Sequence, residues 1–123
     1  MEHTVLVVDD SPTIIKFVSF SLKNRGFNVI TATDGMDAIE KISAHEAPID
    51  LIITDLNMPN VDGYELISTL RRNNRYQDTP IIILSSENGE EDKRRGMEVG
   101  ATSYLVKPFK STVLLREISK FLS

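Results

Sequence analysis

Cysteine is absent from the 123 residues, which excludes disulfide staples and thiolate metal sites and fits a reducing compartment. Long apolar runs are missing as well. The first one, Val5 to Val8, follows directly on Met1-Glu2-His3-Thr4. Asp9 and Asp10 cut it before a secretory h-region or a membrane span can form, so a cytoplasmic chain without membrane insertion is expected. Basic charge is not in excess either: the formal net charge of −4 makes the molecule a mild anion, and direct nucleic-acid binding is not expected of it. No internal repeat, low-complexity tract or Pro/Gly/Ser linker interrupts the chain, and the last apolar pattern runs almost to Ser123. A single domain over residues 1–123 is therefore expected, long enough to bury one core without staples.

What is present is an alternation of short apolar runs with helix-period stretches. Val5 to Val8, Asn28 to Ala32, Leu51 to Thr54, Ile81 to Leu84 and Ser103 to Val106 read as strands, each followed by a helical segment. Five such units imply an α/β fold with a doubly wound parallel sheet. The first, third and fourth runs are the most continuously apolar, as strands buried on both faces must be. Asn28, Thr31 and Ser103 mark the second and fifth as edges.

The helices carry start and stop signals. Ser11-Pro12 opens the first, Ile14, Ile15, Val18 and Leu22 form its stripe, and Gly26 is placed to end it. Asp34-Gly35 opens the second, and Asp62 with Glu65 resembles a capping box for the third. Arg71, Arg72 and Arg75 near that helix's end suit its dipole. Asn88 to Val99 is charge-crowded and poor in apolar residues, so weak packing is expected. Ser111 or Thr112 is the expected cap of the last helix, whose stripe is Leu114, Leu115, Ile118, Phe121 and Leu122. His3 and His45 read as solvated surface without metal-ligand spacing.

The sequence is organised around Asp50 to Gly63, DLIITDLNMPNVDG, in which a buried strand ends abruptly at Asp55 and a turn-rich loop begins. In a parallel sheet all strand C-terminal ends share one rim, where ligands bind. Asp9 and Asp10, Asp55, Ser85 and Lys107 all follow strands and converge there. Three neighbouring carboxylates repel one another by about 1 to 4 kcal/mol per pair, and a divalent cation resolves the repulsion. Oxygen-only donors point to Mg²⁺, with Mn²⁺ possible, rather than Zn²⁺. A carboxylate beside a metal, a hydroxyl and an ammonium suits phosphoryl transfer, with Asp55 attacking phosphorus and Lys107 and Ser85 binding the phosphoryl oxygens.

At these residues the chain resembles a response-regulator receiver domain over its whole length, and most of all the single-domain, CheY-like chemotaxis regulators. The matching segments are VVDD at Val7 to Asp10, TDLNMPNVDG at Thr54 to Gly63, LSSE at Leu84 to Glu87 and GATSYLVKPF at Gly100 to Phe109. The resemblance implies a flavodoxin-like (βα)5 fold with strand order 2-1-3-4-5, an order for which a member of this family is a standard example. It implies Asp55 as the phosphoacceptor and Asp10, Asp55 and the Asn57 carbonyl as Mg²⁺ ligands, with Asp9 acting through a metal-bound water. It further implies that Ser85 bonds the phosphoryl group, that Lys107 pairs with it, that Tyr104 changes exposure on activation, and that the Lys107-Pro108 bond is cis. Asn57 and Glu87 stand where the family varies and tunes phosphoryl lifetime.

The function so implied is that of a two-component phosphorelay receiver. A sensor histidine kinase or a phosphotransfer protein donates to Asp55, and a downstream protein is bound through a face made by the fourth helix, the fifth strand and the last helix. Such a chain is a signalling domain, a monomer or weak dimer, that catalyses only its own phosphorylation and dephosphorylation. A haloacid-dehalogenase-type phosphohydrolase is the alternative, but it needs a second Asp two residues after the nucleophile, where this chain has Asn57. A flavin binder would need a phosphate cradle where this rim is acidic.

Overall fold

A computed structural model describes residues 2–86 and 90–122. The chain runs β1 (Thr4–Val8), α1 (Pro12–Lys23), β2 (Asn28–Ala32), α2 (Gly35–Ala44), β3 (Leu51–Thr54), α3 (Gly63–Arg71), β4 (Ile81–Ser85), α4 (Glu90–Glu98), β5 (Ser103–Val106) and α5 (Ser111–Ser119). All pairings are parallel, in the order β2-β1-β3-β4-β5. The expected topology holds, with β2 and β5 at the edges. Glu87, and Asn88 at the expected start of the fourth helix, lie outside the described residues.

Strand composition explains which strands are central. β3 and β4 are buried at every position and β1 at all but its first, because helices cover both faces of the central strands. Successive side chains alternate between two cores. Leu6, Val8, Ile52, Ile81 and Ile83 pack with Ile42 of α2 and Leu66, Ile67 and Leu70 of α3. Val5, Val7, Leu51, Ile53, Ile82 and Leu84 pack with Val18 and Leu22 of α1 and Leu114 and Ile118 of α5.

The caps are mostly those the sequence announces. Ser11, Asp34 and Asp62 accept from the N–H groups of Ile14, Asp37 and Glu65 at 3.4, 2.8 and 2.9 Å. After α1, Gly26 adopts φ 86°, and the N–H groups of Gly26 and Phe27 return to the carbonyls of Lys23 and Leu22, a Schellman closure.

Three local expectations are corrected. The N-cap of α5 is Lys110, not Ser111 or Thr112, and its side chain makes no cap hydrogen bond. The register that buries Leu114 and Ile118 starts the helix one residue earlier, with the N–H groups of Val113 and Leu114 closing on the Lys110 carbonyl. His45 is half-buried rather than solvated surface: it ends α2, and its Nε2 is buried without a hydrogen-bond partner among the described residues. Arg71 does more than complement a dipole. Its Nε donates to Gly100 O at 2.9 Å and its guanidinium reaches the carbonyls of Tyr76, Gln77 and Thr79 at 2.8, 3.1 and 2.7 Å, tying α3 to the loops before β4 and β5.

Candidate phosphoryl-transfer site

The sheet ladder delivers the site. The Asp9 N–H donates to Ala32 O at 3.1 Å and the Asp55 N–H to Val8 O at 2.9 Å. The Lys107 N–H donates to Ser85 O at 2.8 Å, so each functional residue is the next rung beyond its strand or closes the one beside it. Strand-end residues distant in sequence thus share one rim, as parallel pairing requires.

Asp9, Asp10 and Asp55 each present a carboxylate oxygen within 4.8 Å of the others. Lys107 Nζ lies 2.8 Å from Asp9 Oδ2 and 3.6 Å from Asp55 Oδ2. Asp9 is only 2% exposed and Asp55 7%, whereas Asp10 faces solvent. The other oxygens are held by backbone: Asp9 Oδ1 accepts from Ser11 N at 2.9 Å and Asp55 Oδ1 from Leu56 N at 2.8 Å. Burial pushes the Asp55 carboxyl above its ordinary range, and the Asp9 charge adds to this. Lys107 and the Leu56 N–H pull it back down by less, and Asp10 pushes it up slightly further.

Ser85 closes β4 as a fully buried residue, and Thr54 is fully buried beneath the rim, its hydroxyl donating to Asp55 O at 2.9 Å. Asn57 is exposed in the loop after Asp55. Tyr104 is half-buried on edge strand β5, paired in register with Ile83, and packs against the core on the α3 side. The Lys107-Pro108 bond is cis.

The loop after Asp55 is shaped by contacts that composition alone did not reveal. A Cβ on Gly63 would stand 2.2 Å from Asp55 O, so only glycine lets α3 start against the backbone of Asp55. Asn60 takes φ 67° and donates to the α2 cap Asp34 at 3.2 Å, while the Gly35 N–H donates to Val61 O at 3.2 Å. The α2 start therefore buttresses the loop. Asn in Pro59-Asn60 was the available signal for the left-handed turn.

The donor set fits a hard divalent cation. Three carboxylates face one ammonium, so the cluster keeps excess negative charge, and every donor is oxygen.

A match to the response regulator receiver domain family spans residues 5–119. This chain belongs to that family. The receiver domain is 42% identical over 114 residues to the protein PilG of Pseudomonas aeruginosa, covering 93% of this chain and 83% of PilG. It is 36% identical over 115 residues to the chemotaxis protein CheY1 of Helicobacter pylori, covering 93% and 92% of the two chains. The chemotaxis response regulator CheY4 of Vibrio cholerae has the same fold, with a TM-score of 0.92 at 41% identity over 99% of this chain and 100% of that one. A receiver domain is a phosphoacceptor of two-component signalling rather than a turnover enzyme, and a phosphohydrolase of the haloacid-dehalogenase type is not favoured. No helix among the described residues is long and apolar enough to cross a membrane.

Proposed function

We propose that Asp55 is the phosphoacceptor, that Ser85 and Lys107 bind the transferred group, and that Tyr104 is the switching aromatic. The observation that carries this reading is the convergence of Asp55 with Asp9, Asp10 and Lys107 on one rim. The Leu56 N–H occupies Asp55 Oδ1, which leaves Oδ2, the oxygen on the Lys107 side, to form the bond to phosphorus as the phosphorus–nitrogen bond of a phosphohistidine donor breaks. The departing imidazole takes its proton from solvent.

The carboxylates of Asp9, Asp10 and Asp55 and the carbonyl of Asn57 would hold Mg²⁺, or Mn²⁺ by the same oxygen chemistry, with Asp9 acting through a water. When bound, the cation neutralises the carboxylates and withdraws charge from the phosphoryl oxygens. Lys107 begins shared between Asp9 and Asp55. A phosphoryl group brings about two negative charges by analogy with phosphoserine, and so draws the ammonium off Asp9 and the Ser85 hydroxyl toward itself. Complete switching from 1:99 to 99:1 requires about 5.5 kcal/mol of differential stabilisation. The weakly anchored α4 is the element biased, and the face formed by α4, β5 and α5 is the surface on which a downstream protein is bound differently.

The donor is a sensor histidine kinase or a phosphotransfer protein. The protein acts as one receiver unit over residues 1–123, in the cytoplasm, as a monomer or weak dimer without direct nucleic-acid binding, and it hydrolyses its own acyl phosphate. Incubation with acetyl phosphate and Mg²⁺ followed by intact-mass measurement tests the assignment, with Asp55→Asn as control. One added phosphoryl group on the parent alone is expected; equal labelling of both would falsify it.

A further inference from the structure

α4 is a nine-residue helix in which Gly96 alone is buried. That glycine lies so close to β4 that a Cβ would stand 2.6 Å from Ile83 Cδ1, with Tyr104 at 3.9 Å. Arg94 satisfies Glu91 and Glu98 within the helix, so those ion pairs hold α4 to nothing else.

A second attachment comes from α3. The Tyr64 ring is 8% exposed, and the Arg95 guanidinium lies over it, 3.9 Å from the ring centroid. The Tyr64 hydroxyl donates to the carbonyl of Asp92 at 3.4 Å. Burial and the charge of Asp92 raise the Tyr64 pKa, so the hydroxyl keeps its proton and remains a donor. Tyr64 is itself anchored at the phosphoacceptor. It follows Gly63, whose N–H donates to Leu56 O at 2.9 Å, and Asp62 caps the same turn on the Glu65 N–H.

We propose that Tyr64 and Arg95 are positioning residues forming a strap from the α3 start to α4. The strap couples α4 to the Asp55 loop by a route separate from Ser85 and Tyr104. The coupling rests on the reading of Asp55 as phosphoacceptor; the strap itself does not. A displacement of the Leu56–Gly63 backbone carries the Tyr64 ring with it, and the ring carries the guanidinium and the Asp92 carbonyl. The contact is a cation on a ring face, so Arg95→Lys and Tyr64→Phe retain most of it, whereas Arg95→Ala and Tyr64→Leu abolish it.

Hydrogen exchange of the full chain, read by mass spectrometry with and without acetyl phosphate and Mg²⁺, tests both parts. In the unphosphorylated protein, α4 amides of Arg95→Ala and Tyr64→Leu should exchange about three- to tenfold faster, as loss of a cation–π contact implies. The double variant should exchange no faster than either single one, the conservative variants should stay near the parent, and β1 and β3 should be unchanged. After phosphorylation, the response of α4 should shrink about threefold or more in Arg95→Ala while phosphoryl uptake by mass stays at the parent level. Parent-like α4 exchange in Arg95→Ala, additive effects in the double variant, or an undiminished phosphorylation response would overturn the proposal. Because Arg95 is exposed, its variants carry the test even if Tyr64→Leu fails to fold. Absence of uptake by the parent would instead reject the Asp55 reading, with the unphosphorylated comparison still deciding the strap.

Discussion

Lys107 Nζ sits 2.8 Å from Asp9 Oδ2, closer than to Asp55 at 3.6 Å, so the ammonium after β5 is held chiefly by the carboxylate after β1. The pair spans four of the five strands and is almost dry, with the lysine side chain 16% and the aspartate 2% exposed. Removing the cation leaves a buried carboxylate uncompensated. Lys107→Ala should lose about 3 kcal/mol of stability to urea in metal-free buffer. The variant should still accept a phosphoryl group from acetyl phosphate but leave α4 exchange and partner binding unswitched. Normal partner binding by the phosphorylated variant would reject the switching role.

The Asp55 carboxyl, raised by burial and by Asp9, holds its proton more tightly folded than unfolded. Its charge therefore opposes folding at neutral pH, and the penalty is relieved as pH falls through the raised value toward the ordinary 3.8. Asp55→Asn removes the charge and should stabilise the metal-free protein by about 1 kcal/mol at neutral pH. That advantage should shrink across the acidic window. Mg²⁺ should raise the melting temperature of the parent more than that of Asp55→Asn, and chelation should reverse the gain. Calorimetry at several pH values, with and without Mg²⁺, checks each part.

The Ser103 hydroxyl donates to Glu117 and holds that carboxyl below its ordinary range, with Lys120 adding to the effect; the bond joins β5 to α5. A lowered acid stabilises the fold above its unfolded value of 4.5 and loses that contribution as pH falls through the lowered one. Ser103→Ala should cost about 1 kcal/mol at neutral pH. The difference from the parent should close in acid, and a pH-independent difference would contradict the account.

Arg71 satisfies four main-chain carbonyls and approaches the Thr102 hydroxyl at 3.4 Å. Arg71→Ala should destabilise by about 3 kcal/mol in chemical denaturation, since several acceptors lose their donor together. Arg71→Lys should recover only part of the loss, because an ammonium lacks the planar fork that reaches them simultaneously.

The sequence by itself determined the architecture and the inventory of the site. Continuous apolar runs at Val5, Leu51 and Ile81 suit central strands covered on both faces, and Asn28 and Ser103 suit edges, so the edge strands were legible, while the full order came from the family resemblance. Ser11, Asp34 and Asp62 announce caps because cap bonds form within four residues of chain. Parallel pairing then brings Asp9, Asp10, Asp55 and Lys107 to one rim without further information.

Only the tertiary structure decided which charge meets which. Asp9 rather than Asp55 takes the shorter ion pair. Arg71 leaves its helix dipole for carbonyls in two other loops, and α5 starts at the register its buried leucine demands rather than at the nearest hydroxyl. Tyr64 meets Arg95 across 31 residues of sequence, a contact that no periodicity encodes. The physical reason is common to the three side-chain contacts, and the α5 start likewise follows from packing. Local hydrogen bonds and apolar periodicity are written in neighbouring residues, whereas the partner of a long charged or aromatic side chain is set by what packing has already brought within a few ångströms.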